Sequence, residues 1–395
     1  MSSDIIETDA QYVLKTYKRA PFVLTSGRGM TVYDSEGRAY LDFGAGIAVN
    51  ALGHAEPEIA AAIQQQAATL SHVCNLYHTA PQAELARSLC ELSFADRVYF
   101  CNSGAEAVEA AIKFARKYAL TTHGPGKTGI VSFSGAFHGR TMGALALTPR
   151  EKYQAPFRPL MPGVTHAPFN DVEAAGQVIG PETAAVFVEP VQGEGGIHAA
   201  TQEFMETLRV LCDRHGALLV FDEIQCGLGR TGKLWAHEHY GMAPDMMTLA
   251  KALGGGLPMG AVLLTGEVAA TIEVGDHGST FAGGPVVAQA ARVVLKRVSD
   301  PALLAHIRGM GDLMRERLAG LASPHIRAVR GLGLMIGVEL DMDVTPVIEA
   351  GYAHGLILLN AGPNVLRLLP PYIVSVGDID QLIDGMGQIL ASLES

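Results

Sequence analysis

The sequence feature that most restricts the fold is a series of short, predominantly apolar runs separated by helix-length segments. These runs are Val98 to Phe100, Ile130 to Phe133, Ala184 to Val188, Ala217 to Phe221, Met246 to Ala250 and Ala261 to Leu264. Ala105 to Ala119 and Thr201 to His215 lie between them and have helical periodicity, and Gly216 ends the second. Strands that are apolar on both faces indicate a mostly parallel sheet covered by helices, which is an α/β fold.

The segments outside this series predict a second, smaller domain. Met30 to Tyr33 and Ala39 to Phe43 have the pattern of two short strands around a turn. A long helical stretch begins near Val286, and the strand-like runs Ile326 to Val329 and Met335 to Leu340 follow it. We therefore predict a large domain at residues 51–285 and a smaller α+β domain at residues 286–395, with the segment 1–50 packed against the smaller one.

Composition and charge exclude several classes of function. The formal net charge of −11, without a basic stripe, argues against a nucleic-acid partner. The five cysteines include no CxxC pair, so we expect neither a disulfide scaffold nor a cysteine zinc site, and a reducing cytoplasm fits best. No other metal site is expected, because no His lies at ligand spacing from Asp222 and Glu223. Met1 to Ala10 is acidic and does not resemble a signal peptide, and no apolar run is long enough to cross a membrane.

Polar residues that directly follow the predicted strands are the candidates for a functional site. Ligands of parallel α/β sheets bind beyond the carboxyl ends of the strands. The polar residues at those ends are Asn102 to Gly104, Ser134 to His138, Glu189, Asp222 with Glu223, and Lys251.

Lys251 and Asp222 point most directly to a chemistry. Lys251 is one of only nine lysines and follows a buried apolar run, so desolvation should lower its pKa and favour the nucleophilic free amine. Asp222 ends another apolar strand and needs a cationic partner, which a protonated pyridine nitrogen would provide. Taken singly, the lysine could also extend to solvent, and the aspartate could cap a turn or bind a metal.

Two further motifs fit the same kind of ligand. Ser103-Gly104-Ala105 places a small turn at a helix N-terminus, which favours a phosphate, although a simple Ser cap is an equal alternative. Phe137 could stack on a flat ring and Arg140 could bind a substrate carboxylate, although a surface turn with one core aromatic has the same pattern.

In combination these motifs resemble the class III, fold-type-I aminotransferases that depend on pyridoxal 5'-phosphate (PLP). The resemblance extends over essentially the whole chain and is carried by Asn102 to Ala107, Phe137 to Thr141, Val188 to Gly196, Phe221 to Gln225, Gly229 to Gly232, Leu249 to Lys251 and His277 to Phe281. It implies a seven-stranded sheet in the large domain. Asn75 to His78 and Asn364 to Pro371 most resemble the acetylornithine aminotransferase group.

The resemblance also implies roles for individual residues. Lys251 would bond covalently to PLP and transfer the substrate proton, while Asp222 would pair with the pyridine nitrogen. The other implied cofactor contacts are Gln225 near the phenolic oxygen, Phe137 and Ile224 on the two ring faces, Gly104 and Ala105 on the phosphate, Thr280 from the partner subunit of a homodimer, and Ser103, His138 and Glu189 around them.

For the substrates, the resemblance implies N-acetylornithine as amino donor and 2-oxoglutarate as acceptor, in an active site at the subunit interface. Arg140 and Ser279 are expected to contact N-acetylornithine, and Arg367 would bind the α-carboxylate. Glu194 would pair with Arg367 while the donor is bound and release it for 2-oxoglutarate. One site could then accept two unlike substrates in turn.

The motifs leave other functions open. Succinylornithine, ornithine, 4-aminobutyrate and glutamate-semialdehyde enzymes would share the same cofactor residues. A PLP-binding regulator without catalysis is a remote alternative, because the first ~80 residues lack a helix-turn-helix with a basic face. A dinucleotide dehydrogenase is excluded, since no G-x-G-x-x-G follows the first strand.

Overall fold

The computed structural model describes the backbone of residues 2–393 and the side chains of residues 4–393. Its helices are α1 (Ser2–Tyr12), α2 (Ala45–Ala48), α3 (Pro57–Thr69), α4 (Ala80–Glu91), α5 (Gly104–His123), α6 (Met142–Ala146), α7 (Glu151–Gln154), α8 (Val172–Val178), α9 (Gln202–His215), α10 (Gly266–Ala269), α11 (Pro285–Val298), α12 (Pro301–Ala319), α13 (Thr345–Ala353) and α14 (Val376–Leu393).

The strands are β1 (Leu24–Arg28), β2 (Thr31–Asp34), β3 (Ala39–Asp42), β4 (Arg97–Cys101), β5 (Gly129–Phe133), β6 (Val164–Ala167), β7 (Thr183–Val188), β8 (Val191–Gln192), β9 (His198–Ala199), β10 (Leu218–Asp222), β11 (Met246–Leu249), β12 (Gly260–Leu264), β13 (Ile326–Leu332), β14 (Met335–Leu340), β15 (Leu356–Ile357), β16 (Leu359–Asn360) and β17 (Val365–Leu368). Short 3-10 turns occupy Ala155–Phe157, Ala236–His239 and Lys251–Gly254.

A seven-stranded sheet forms the centre of the molecule, in the order β4-β12-β11-β10-β7-β5-β6. The β11, β10, β7, β5 and β6 pairs are parallel, whereas β12 runs antiparallel to both β4 and β11. This confirms the predicted mostly parallel sheet. The sequence analysis did not identify β6, which is an edge strand of four residues in which Thr165 and His166 interrupt the apolar pattern.

Burial on both faces explains why the strand sequences are predominantly apolar. Every residue of β7, β10, β11 and β12 is buried. One face of the sheet packs against the apolar side of α5, including Val108, Ile112 and Ala115. The opposite face packs against Phe204, Leu208 and other apolar residues of α9. Helices on both faces exclude water from the strand backbones, as this class of sheet requires.

Besides the two-stranded β8–β9 sheet, two four-stranded sheets lie outside the central one. One has the order β13-β14-β17-β16, and the other has the order β1-β2-β3-β15. In the second, Leu41 of β3 pairs in parallel with Leu356 of β15, so the beginning of the chain shares a sheet with its C-terminal part. The domain limits at residues 50 and 285 stay a prediction.

The sheet topology positions the candidate functional residues. Strands β4, β5, β7, β10 and β11 run in one direction, so their carboxyl ends lie at one edge of the central sheet. The loops after these strands carry the polar residues named above. β12 runs in the opposite direction and therefore begins at that edge. Within residues 2–393, none of the helices combines the length and apolar character needed to cross a bilayer.

Two glycines of α12 give a test of the packing between this helix and the β13–β14 hairpin. A Cβ at Gly311 would lie 2.1 Å from the carbonyl oxygen of Gly333, whereas a Cβ at Gly309 would have no atom within 4 Å. Gly309→Ala should therefore stabilise the fold by about 0.5–1 kcal/mol through helix propensity. Gly311→Ala should destabilise it by about 1–3 kcal/mol, because the clash exceeds the same propensity gain.

Urea unfolding of the two variants, followed by circular dichroism, measures both free energies. Because both substitutions are Gly→Ala in one helix, each controls for the other. Equal midpoints for the two variants would contradict this account of the packing.

Candidate active site

A cavity of about 500 Å³ lies at the edge of the central sheet where the parallel strands end. Its lining residues come from the loops that follow β4, β5, β7, β10 and β11 and from the segment before β12. They are Val49, Asn102, Ser103, Gly104, Ala105, Phe137, His138, Gly139, Arg140, Glu189, Asp222, Ile224, Gln225, Ala250, Lys251, Gly256, Leu257, Pro258 and Met259. Such a volume is typical of a site for a small organic ligand.

Lys251 enters this cavity from the turn that follows β11. Its φ of 46° lies in the left-handed region, which is uncommon for a residue with a side chain. Burial and, to a smaller extent, the positive charge of Arg367 lower the pKa of its amine, and the carboxylates of Glu194, Asp222 and Glu189 oppose this shift. The net pKa is about 8. A substantial fraction of the amine is therefore unprotonated and nucleophilic near neutral pH.

Asp222 is the last residue of β10 and is only 3% exposed. Its Oδ1 accepts the Ile224 backbone N–H at 3.1 Å, and its Oδ2 lies 2.7 Å from Nδ1 of the buried His138. Burial opposes a charge on His138, but the hydrogen bond and the negative charge of Asp222 outweigh it and raise the histidine pKa. Among the described side chains, His138 Nε2 is a buried atom without a hydrogen-bond partner.

Glu189 follows β7 and joins two of the loops that line the cavity. One carboxylate oxygen accepts the backbone N–H of Phe137 at 3.0 Å, and the other accepts that of Gly193 at 3.2 Å. Burial raises the pKa of Glu189 to about 7, although the charge of His138 opposes this shift. Glu189 therefore fixes the Phe137 loop to the glycine-rich loop that contains Glu194.

The N-terminus of α5 forms one end of the cavity. Ser103 caps the helix by accepting the Glu106 backbone N–H, so the free N–H groups of Gly104 and Ala105 belong to its first turn. A Cβ at Gly104 would lie 2.9 Å from the side chain of Ile224. A larger residue at position 104 would therefore force the Ile224 side chain to shift.

Arg367 and Glu194 form an ion pair beside the cavity. Arg367 extends from β17 and is 3% exposed. One of its nitrogens donates to the Glu194 carboxylate and, at 3.1 Å, to Oε1 of Gln225. Gln225 lines the cavity, so Arg367 lies directly behind a cavity wall, and its charge acts on Lys251.

Most, but not all, of the predicted site residues line the cavity. All predicted cofactor residues except Thr280 line the cavity, and so does Arg140. Ser279 accepts a hydrogen bond from the Asn102 side chain at 2.9 Å, which places it beside the turn before α5. Thr280 is exposed on the adjacent loop. The sequence analysis did not identify Val49 or Leu257 to Met259 as part of the site.

Similarity to known proteins identifies the family. The family model for class-III aminotransferases matches residues 12–390. The chain belongs to the class-III aminotransferases. It is 51% identical over its full length to the mitochondrial acetylornithine aminotransferase of Alnus glutinosa, covering 89% of that protein. It is also 44% identical to the succinylornithine transaminase of Yersinia pseudotuberculosis, over 97% of this chain and 95% of that one.

The structural comparison agrees with this assignment. An ornithine aminotransferase from Toxoplasma gondii, whose active site is partly occupied by PLP, has a TM-score of 0.96 and 31% identity. The superposition covers all of this chain and 95% of that one. The PLP fold type I predicted from the sequence is therefore confirmed, and this class-III aminotransferase depends on PLP.

The residues of the cavity fit this cofactor. The first turn of α5 offers unpaired N–H groups of the kind that bind a phosphate. The buried Asp222 carboxylate suits a protonated ring nitrogen, and Lys251 supplies a nucleophilic amine to the same cavity. Within the described residues, no group of three His, Cys, Asp or Glu side chains is arranged to hold a metal ion.

The lowered pKa of Lys251 is directly testable in the cofactor-free protein. Because only the unprotonated amine is acylated, trace acetylation of Lys251 should rise with pH to a midpoint near 8. Mass spectrometry of digests after labelling with limiting acetic anhydride measures this midpoint, and the exposed Lys296 serves as the comparison. Arg367→Gln should move the midpoint upward, because the Arg367 charge is one cause of the shift. A midpoint at the ordinary lysine value of 10.5 would contradict the burial of the amine.

Proposed function

We propose that this aminotransferase transfers the terminal amino group of N-acetylornithine to 2-oxoglutarate, giving N-acetylglutamate 5-semialdehyde and glutamate in arginine biosynthesis. The observation that carries the proposal is the full-length likeness to the Alnus acetylornithine aminotransferase. The cavity supports it, because a reactive lysine and two arginines lie at or beside it. The arginines suit substrates that carry carboxylates.

We assign the cofactor contacts from the cavity lining. Gly104 and Ala105 at the start of α5 would bind the phosphate, with Ser103 beside them. Phe137 and Ile224 would pack on the two ring faces, and Gln225 would lie near the phenolic oxygen. Asp222, held by His138, would pair with the ring nitrogen, and Glu189 would fix the surrounding loops. These residues all line the same cavity.

Lys251 is the proposed acid-base group as well as the covalent anchor. When bound, PLP supplies a carbonyl that reacts with amines and a ring that withdraws electrons. An amine with a pKa of about 8 can accept a proton from the substrate carbon near neutral pH and return it afterwards. Asp222 supplies the negative charge that keeps a ring nitrogen protonated. The cavity walls restrict water around these steps.

The two arginines would recognise the substrate carboxylates. Arg140 lines the cavity and, together with Ser279, is the proposed contact for N-acetylornithine. Arg367 is the proposed partner of the α-carboxylate of 2-oxoglutarate and glutamate. Glu194 would neutralise Arg367 while the terminal amine of the donor reacts, and would move away for the acceptor. Their ion pair in this structure supports the proposal, since it would be the paired state of such a switch.

We further propose a homodimer with active sites at the subunit interface. Thr280 would contribute to the phosphate site of the partner subunit, which accords with its exposure outside the cavity of its own chain. A cytoplasmic location is proposed from the cysteine usage, which suits a reducing compartment.

A succinylated donor is the second candidate, since the 44% identical Yersinia pseudotuberculosis relative is a succinylornithine transaminase. Free ornithine and 4-aminobutyrate are weaker candidates that rest on shared cofactor motifs. A non-catalytic PLP-binding regulator is the least supported, because the lysine, aspartate and both arginines are all present.

A single-turnover spectrum tests the donor. The long-wavelength absorbance of the bound cofactor should fall when N-acetylornithine is added and return when 2-oxoglutarate follows. The second-order rate for N-acetylornithine should exceed that for free ornithine by about tenfold or more, since the latter brings an extra ammonium into the site. Lys251→Ala should abolish the cycle and the borohydride labelling of this position. A faster reaction with succinylornithine would assign the second candidate instead.

Glu194→Ala tests the proposed switch. Without the carboxylate, Arg367 stays available to the α-carboxylate of glutamate, so the ratio of the N-acetylornithine rate to the glutamate rate should fall about fivefold or more. Stopped-flow measurement of the two half-reactions gives this ratio, with the exposed Glu203→Ala as the control. The same proportional change in both half-reactions would rule out the switch.

A further inference from the structure

The aromatic ring of Tyr153, on α7, lies close to two arginines, of which Arg140 lines the cavity and Arg150 does not. The guanidinium carbon of Arg140 is 3.5 Å from the ring centroid, and that of Arg150 is 5.6 Å from it. Among the described side chains, no carboxylate is within ion-pair distance of either arginine. The ring thus supplies a cation–π attraction to two guanidinium groups that have no carboxylate partner among the described side chains.

Arg150 also forms a hydrogen bond with Glu194, the residue that pairs with Arg367. Its Nη2 donates to the backbone carbonyl oxygen of Glu194 at 2.5 Å. The carboxylate of Glu194 in turn accepts from Arg367. The contacts therefore run without interruption from Arg140 through Tyr153, Arg150 and Glu194 to Arg367.

The backbone around Glu194 needs such a contact. Glu194 is flanked by Gly193, Gly195 and Gly196, and Gly196 has a φ of 108°. Glycines on both sides make this loop conformationally free. Neighbouring positions are fixed separately, since Glu189 accepts the Gly193 N–H and Arg330 donates to the Gly196 carbonyl at 2.9 Å. Arg150 is the group that holds the carbonyl of Glu194 itself.

We propose that Arg150 and Tyr153 are positioning residues that hold Glu194 on Arg367 and couple this ion pair to Arg140. The inference rests on the proposed function, because it concerns the switch between the two substrates. Loss of the Arg150 contact frees the Glu194 backbone and weakens the masking of Arg367. Dicarboxylates then bind more tightly, and the preference for a terminal-amine donor over glutamate declines.

The first measurement is the dissociation constant of glutarate, an unreactive dicarboxylate, for the PLP-loaded enzyme by isothermal titration calorimetry. Arg150→Gln should bind glutarate about 2- to 10-fold more tightly, the range expected from one lost hydrogen bond. Tyr153→Leu should act in the same direction. Tyr153→Phe, which keeps the ring, and the exposed neighbour Lys152→Ala should match the unsubstituted enzyme.

The second measurement is the ratio of the N-acetylornithine and glutamate half-reaction rates. Arg150→Gln should lower this ratio, and it should have no further effect in a Glu194→Ala background, because both substitutions remove the same restraint. Glutarate affinity that is unchanged or weaker in Arg150→Gln, while Glu194→Ala binds it more tightly, would overturn the coupling. Failure of the unsubstituted enzyme to convert N-acetylornithine would instead overturn the proposed function. The glutarate dissociation constants of the variants would still test the role of Arg150.

Discussion

The balance of charge around one buried amine is the constraint on which the rest of the site depends. A lysine ammonium in this cavity is disfavoured by burial and by the nearby guanidinium of Arg367, while three carboxylates oppose that effect. The net result is a pKa near 8, where the amine can act both as nucleophile and as proton carrier. Moving Asp222 or Glu189 would shift that balance, so these two carboxylates must be held rigidly.

The fold meets this requirement by placing both of these carboxylates at the end of a buried strand. Asp222 ends β10, and its carboxylate is fixed by a backbone N–H and by His138. Glu189 follows β7 and accepts two backbone N–H groups from separate loops. Adjacent parallel strands bring these termini to one edge, so residues far apart in sequence become neighbours without long connecting loops.

The sequence predicted this edge well because strand ends are local signals. The apolar run that precedes Asp222 or Lys251 can be recognised within a few residues of sequence. Parallel pairing of the strands then brings these two side chains to the same edge of the sheet. The cavity residues that were not predicted reach the cavity because of the direction of a strand or the conformation of a turn, and neither is evident from the sequence. Pro258 and Met259 reach the cavity because β12 runs antiparallel, which its apolar sequence does not reveal. Val49 reaches it after a left-handed turn at Ala45 to Ala48 that includes residues other than glycine.

The substrate end of the site is built differently from the cofactor end. Around Lys251 and Asp222 the groups are buried and bonded to strand termini, which leaves little freedom. Around Glu194 the backbone is glycine-rich and is held by side chains such as Arg150, whose contacts can be broken singly. A cofactor that stays in place needs the first arrangement. A site that accepts two different substrates in turn needs the second, because the charge pair at Arg367 must open and close without disturbing the chemistry beside it.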